Sequence, residues 1–175
     1  IHHNEVGFMD YYVAYMYYTD SVSFKNNTVM QRRGSLTTAN MYPMYMYYTN
    51  ANVENNKFDL ETIYYGFYMY YFGDTVTGFN RIVNNELRSS FGSSSYGYGM
   101  YLSSYNFADI LHNSFYLKGV YQYNYGLYMG STQYATRIKN NIFHMAGTTV
   151  NNYPIYIGST SYLNTVEMGG NCYYN

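Results

Sequence analysis

Cleavage of a sugar linkage needs an acid and a base, most often two carboxylates held within one site. The chain carries ten acids: Glu5, Asp10, Asp20, Glu54, Asp59, Glu61, Asp74, Glu86, Asp109 and Glu167. They are scattered. Asp59 and Glu61 alternate with Leu60, so a strand would place both on one outward face. Glu5 and Glu86 each follow a His-Asn or Asn-Asn pair, three repeats apart. A Ca²⁺ site needs several converging carboxylates, and this spacing provides none. His2 and His3 form no ligand cluster, and His144 follows Phe143 on an outward position. Arg32-Arg33, and Arg81 with Arg88, are the basic concentrations. They are too few to hold nucleic acid but could meet an acidic polysaccharide. The expectation is therefore no catalytic set, no cofactor and no metal.

The composition agrees. In 175 residues the formal net charge is −1 and charged residues are 11%, about half the usual share. Tyrosine takes their place, with 29 Tyr, 10 Phe and no Trp. A chain poor in helix formers and rich in Tyr, Asn, Gly and Ser favours strands and tight turns. The single cysteine, Cys172, excludes an internal disulfide. No apolar run approaches the roughly 20 residues of a membrane span. An Ile at position 1 and the lack of a leader pattern lead us to expect a mature product or a piece of something longer. Low charge and abundant Tyr, Asn and Ser fit an extracellular or cell-surface location.

A repeat organises these residues. Asn-Asn or His-Asn pairs end at Asn4, Asn27, Asn56, Asn85, Asn113 and Asn141, at spacings of 23, 29, 29, 28 and 28 residues. Three residues before the later five stand Phe24, Val53, Ile82, Ile110 and Ile138. Two residues after all six stand Val6, Val29, Phe58, Leu87, Phe115 and Phe143. Between the pairs, apolar residues flank Tyr15, Tyr45, Tyr68, Tyr101, Tyr128 and Tyr156. Period-2 alternation turns the flanking residues inward and these tyrosines outward. Insertions fall in the turn-rich segments "GDTVTG" and "GSSSYGYG". The pattern predicts an all-β solenoid: a right-handed parallel β-helix of about six rungs of roughly 28 residues, with three short strands per rung. It forms one domain, 1–175, as a segment of a longer chain or a stacking subunit. The asparagine column is expected to bend the chain, through its tolerance of left-handed φ/ψ, and to form a side-chain ladder. The tyrosine column is expected to stack on itself, to face a sugar, or to face another chain.

The segments "TRIKNNIF", "LHNSFYL" and "GLYMGST" are similar to the repeats of right-handed parallel β-helix proteins. They look closest to large secreted or surface-anchored β-helix proteins of Gram-negative bacteria. Repeats of that type end in a segment similar to "GGNCYYN", residues 169–175. The resemblance spans essentially the whole chain and implies the fold. It leaves function open, because this scaffold hosts lyases, hydrolases, adhesins and passive structural proteins. Arg137-Ile138-Lys139 also resembles the Arg-Ile-Lys triplet of polygalacturonase-like glycosidases. No Asp-Asp, Asn-Thr-Asp or His-Gly accompanies it here. Register explains the triplet instead, with Ile138 in the inward column between two outward polar residues.

Solenoids need caps over their open strand edges, and neither end of the sequence shows an amphipathic helix or a polar cap. The expected role is a non-enzymatic extracellular structural or adhesive segment. It would self-associate head to tail into a filament or join neighbouring segments of a longer chain. The alternatives are a carbohydrate-binding or polysaccharide-degrading β-helix, and a trimeric phage fibre or tailspike segment.

Overall fold

One repeat of this length cannot bury its apolar side alone, and the chain meets the problem by coiling. The computed structural model describes residues 1–2, 4–7, 11–31, 41–75, 77, 80–91, 96–104, 106–119, 122–130, 135–147, 151–158 and 166–174, with backbone alone at 5–7. Strands pair parallel with their own copies one repeat away. The result is a parallel β-solenoid of about five turns, close to the six rungs expected. Arg32, Arg33, His3 and the serines at 93–95 lie outside the described residues.

Three ladders of strands make the walls. The ladder after each asparagine pair contains β1 (Glu5–Gly7), β3 (Thr28–Met30), β5 (Lys57–Ile63), β8 (Glu86–Phe91), β11 (Ser114–Gly119), β14 (Ile142–Gly147) and β17 (Cys172–Tyr174). The tyrosine ladder contains β2 (Tyr12–Lys25), β4 (Tyr42–Glu54), β6 (Tyr65–Phe72), β9 (Tyr96–Ser103), β12 (Tyr123–Met129) and β15 (Asn152–Ile157). The ladder before each pair begins with the ends of β2 and β4. It continues through β7 (Asn80–Val83), β10 (Asp109–Leu111), β13 (Thr136–Lys139) and β16 (Val166–Gly169). The coil therefore differs from three short strands in its first two rungs, where β2 and β4 run unbroken past the corner. Only a short corner separates Thr49 from Ala51 in β4, whereas residues 73–79 intervene between β6 and β7.

The registers place equivalent residues in columns. Ile82 faces Ile110 and Ile110 faces Ile138, while Leu87 faces Phe115 and Phe115 faces Phe143. Phe24, Val53, Ile82, Ile110 and Ile138 are buried, as are Val29, Phe58, Leu87, Phe115 and Phe143. The residues flanking the tyrosines complete the core: Ala14, Met16, Met44, Met46, Phe67, Met69, Met100, Leu102, Leu127 and Met129 are buried. Each such Val, Leu, Ile, Phe or Met side chain is worth about 1.5–3 kcal/mol when fully removed from water.

The bend at the asparagine pair divides its labour in a way the repeat did not reveal. The left-handed residue is the first member: Asn26, Asn55, Asn84, His112 and Asn140 have φ between 55° and 58°, with Gly170 at 63° in the last coil. The ladder asparagines predicted to bend the chain carry no positive φ. The first residue's side chain points away from the core, so it meets the left-handed geometry by tolerance alone. The second is then free to turn its amide inward.

A second column is set by close approach. Gly66, Gly99 and Gly126 lie in register in β6, β9 and β12 and are buried. A Cβ on Gly66 would stand 2.3 Å from the Gly99 carbonyl oxygen, and one on Gly99 would stand 2.6 Å from that of Gly126. These coils leave no room for a side chain there.

Candidate functional site

The asparagine column is a continuous buried spine. Asn27, Asn56, Asn85, Asn113 and Asn141 are each at most 2% exposed. Asn56 donates from its backbone N–H and from Nδ2 to Asn85 Oδ1, at 3.0 and 2.9 Å. Its Oδ1 accepts the same two bonds from Asn27, and its other Nδ2 hydrogen reaches Phe24 O at 2.9 Å. Every hydrogen-bonding group of the amide is used, as burial demands. The pattern repeats through Asn113 and Asn141. It ends on Asn171, whose Oδ1 accepts from Asn141 N and Nδ2. Sequence reading stopped one rung short because Gly170 replaces the usual Asn or His. Asn4 begins the spine, donating to Asn27 Oδ1 at 3.1 Å from a solvent-exposed position.

The tyrosines form a paved face. Tyr15, Tyr45, Tyr68, Tyr101, Tyr128 and Tyr156 stack in one unbroken column, with centroids 4.8–5.3 Å apart and planes within 10°. A second column was not foreseen. Tyr42, Tyr65, Tyr98, Tyr125 and Tyr153 stack at 4.7–5.4 Å, with Tyr12 tilted against Tyr42. Its signal was present, since each member sits three residues before a member of the first. Tyr17–Tyr47–Tyr70 and Tyr18–Tyr48–Tyr71 add two shorter columns at the first three coils.

Physical spacing explains the ring arrangement. Rungs repeat at about 4.8 Å, but aromatic carbons make contact at about 3.5–4 Å, so stacked rings must tilt by roughly 40° to touch. Columns tilted in opposite senses then meet edge to face. Tyr65 and Tyr68 meet at 83°, Tyr98 and Tyr101 at 82°, and Tyr17 and Tyr18 at 76°. The herringbone has a consequence for binding. Within the columns the ring faces are covered by their neighbours, so the surface offers mainly edges and phenolic hydroxyls. Sugar stacking on ring faces has little open area here.

Mutual crowding also governs ionisation. Burial, and then neighbouring phenols, with Tyr64 foremost for Tyr65 and Tyr98 and Tyr45 foremost for Tyr68, push Tyr65, Tyr68 and Tyr98 well above the ordinary phenol range. The same causes push Tyr42 and Tyr125 up to about 12. For an acid raised on folding, the stability it contributes is complete below the unfolded value of about 10 and is lost as pH climbs through the folded value. We expect stability to hold to pH 10 and to fall from there towards pH 12. Phenolate absorbance should rise together with loss of the β circular-dichroism signal. Phenolate appearing gradually with strand content intact would contradict this coupling.

The outward strip beside the spine is ionic. Arg81, Asp109, Arg137 and Glu167 align in register. Arg137 bonds the Asp109 carboxylate, Lys139 bonds Glu167, and Glu54 bridges Lys25 at 3.0 Å and Arg81 at 3.3 Å. Both cations of the Arg-Ile-Lys triplet therefore serve cross-rung pairs, while Ile138 is fully buried. Truncation should separate the roles. Ile138→Ala is expected to cost about 3 kcal/mol, and Arg137→Ala less than about 1 kcal/mol, in urea denaturation.

Asp59 and Glu61 do share a groove, lined also by Arg88, Ser90, Tyr116 and Lys118, with Leu60 turned into the core. The charges in it are of both signs. Glu86 pairs with Lys57 at 3.8 Å. His144 lies edge-on to Tyr116 at 4.7 Å. Among the described residues no group of three His, Cys, Asp or Glu converges in a metal-binding arrangement. No helix of the described residues is long and apolar enough to cross a membrane. Comparison with protein-family models, with curated proteins and with solved structures finds no match to the chain.

Proposed function

We propose that the chain is a non-enzymatic, extracellular structural or adhesive solenoid that assembles by stacking its end coils on those of a second copy. The observation that carries this reading is the complementarity of the two ends. At one end Asn171 has a backbone N–H beyond its bond pattern, and its Nδ2 uses one hydrogen on Ile138 O. At the other end Asn4 donates to Asn27 and His2, leaving Oδ1 as an acceptor. These are the two halves of the bond that every internal pair of ladder asparagines makes.

The apolar columns continue in the same way. Pro154, Ile155, Met168 and Tyr173 line the mouth of the core at the last coil. Ile1 precedes Asn4 by the same three residues that separate Phe24 from Asn27, and it is 62% exposed. A stacked copy would set Ile1 beyond Met168 and Tyr12 and Tyr15 beyond Tyr153 and Tyr156. Such contacts are head to tail and do not close, so they give filaments. A flanking coil of a longer surface protein of Gram-negative type would fit the same edges.

Sedimentation over a concentration range tests the reading. The wild-type chain should grow in mass with concentration. Met168→Lys combined with Tyr173→Lys, which places charges on the open edge, should stay monomeric. A wild-type chain that stays monomeric throughout overturns the proposal. The groove of Asp59 and Glu61 supports a second reading, a site for polysaccharide. Depolymerisation of an acidic polysaccharide that is lost in Asp59→Asn with Glu61→Gln would favour it.

A further inference from the structure

One asparagine pair carries a motif that the other pairs lack. Asn26-Asn27-Thr28 is the single place in the chain where Ser or Thr stands two residues after an asparagine. Asn-x-Ser/Thr, with x other than Pro, is the frame in which an asparagine amide accepts a sugar, and acceptors stand on exposed surface turns. Asn26 meets that demand. It is exposed at the corner between β2 and β3, with φ 56°. The backbone holds the turn: Asn26 N–H donates to Glu54 O at 3.0 Å, and Thr28 N–H to Asn4 O at 2.9 Å. The side chains stay clear. Among the described residues neither the Asn26 amide nor the Thr28 hydroxyl makes a hydrogen bond.

At the other corners motif and geometry part. Lys57 and Glu86 stand in register with Thr28, and Asn84 spends its amide on Asn55 Oδ1 at 2.8 Å. His112-Asn113-Ser114 keeps the hydroxyl but has His at the acceptor position, at φ 58°. His112 is exposed, Asn113 buried and Ser114 half-buried, as are Asn26, Asn27 and Thr28 in turn. The stacked rings of β2 stand at Tyr12, Tyr15, Tyr17 and Tyr18, whereas Asn26 follows the last residue of that strand. The acceptor corner is thus apart from the paved face.

From this convergence we infer that Asn26 is an attachment site for an N-linked glycan, taken from a sugar activated by an anomeric diphosphate. The Asn26 amide nitrogen attacks the anomeric carbon. One C–N bond forms. The bond from that carbon to the diphosphate oxygen breaks, and its electron pair leaves with the diphosphate. One amide proton passes to water, and nothing is oxidised or reduced. Thr28 is a positioning residue, whose free hydroxyl is the handle by which a transferase fixes the acceptor amide. The glycan adds a bulky, solubilising group to a chain with only 11% charged residues. This modification is independent of end-to-end stacking, and either can fail without the other.

The folded full chain, offered two donors in turn, tests the inference by intact mass and peptide mapping. One arm uses a soluble asparagine glycosyltransferase with uridine-diphosphate glucose. The other uses a membrane oligosaccharyltransferase with a lipid-diphosphate-linked oligosaccharide. The expected product carries a single glycan, on Asn26, and the arm that yields it identifies the donor. Thr28→Val keeps the shape of the side chain but should lose the glycan, while Thr28→Ser should retain it. His112→Asn completes a second frame at an equivalent corner, where Asn already serves in four other coils. It should gain a second glycan at that position. No glycan on Asn26 with either donor overturns the inference. So does an undiminished yield in Thr28→Val, or a His112→Asn chain that still gains only one.

Discussion

Asn85→Ala is expected to destabilise the solenoid by about 2–6 kcal/mol, since it orphans two buried donors at about 1–3 kcal/mol each. The asparagine Oδ1 accepts from Asn56 N and Asn56 Nδ2, and its Nδ2 donates to Val53 O at 2.9 Å. Alanine leaves those two donors without their acceptor and takes one bond from that carbonyl, in a spine that water does not reach. Such a loss is a large part of the roughly 5–15 kcal/mol that holds a typical domain together. Asn84→Gly is the informative comparison. Asn84 lies one residue away, at φ 55°, with a side chain that bonds Asn55 at the exposed corner. Glycine adopts that φ without cost, so the change should fall within about 1 kcal/mol of wild type. Urea denaturation of the two variants measures the difference directly. Equal effects would mean that the two asparagines of a pair share one role.

Gly99→Ala is expected to cost about 3 kcal/mol, at the upper end of ordinary overpacking. The added methyl would lie 2.6 Å from the Gly126 carbonyl oxygen and 2.4 Å from Leu117 Cδ1. The leucine can rotate, but the carbonyl belongs to the next rung and is held in the parallel ladder of β9 and β12. Relief therefore requires the coils to part. Gly169→Ala meets nothing within 4 Å, and should change stability by no more than about 0.5 kcal/mol. Thermal melting of both variants decides whether close approach, rather than loss of glycine as such, governs the column.

The repeat made much of the architecture readable. The Ile82–Ile110–Ile138 and Leu87–Phe115–Phe143 columns follow from spacing alone, because parallel coils bring equivalent positions into register. The register also accounts for the residue types of Arg137-Ile138-Lys139, with Ile138 buried in its column and both cations in cross-rung pairs. What escaped had a physical reason in each case. An Asn-Asn doublet does not say which member takes the left-handed turn, since the residue type tolerates both roles. The glycine column is interrupted by Val13, Pro43 and Pro154 at the equivalent outer positions, so it lacks an unbroken signature. The herringbone depends on ring tilt, which arises from the mismatch between rung spacing and aromatic contact distance. Sequence spacing alone carries no record of it.

The outward tyrosines bear most directly on what the molecule does. Their faces are largely spent on one another, which turns an apparent carbohydrate platform into an edge-and-hydroxyl surface. This shifts weight from sugar stacking towards cohesion within the solenoid and contact between copies. The terminal members of the described Tyr15 column are its most exposed, Tyr15 at 54% and Tyr156 at 38%.

Electron microscopy of the purified chain, with diffraction from aligned material, tests end-to-end assembly most directly. The proposed stacking predicts unbranched filaments with a reflection near 4.8 Å along the filament axis, because the strands lie across the solenoid axis. Discrete single particles at every concentration, or filaments whose 4.8 Å repeat runs across the axis, would contradict it.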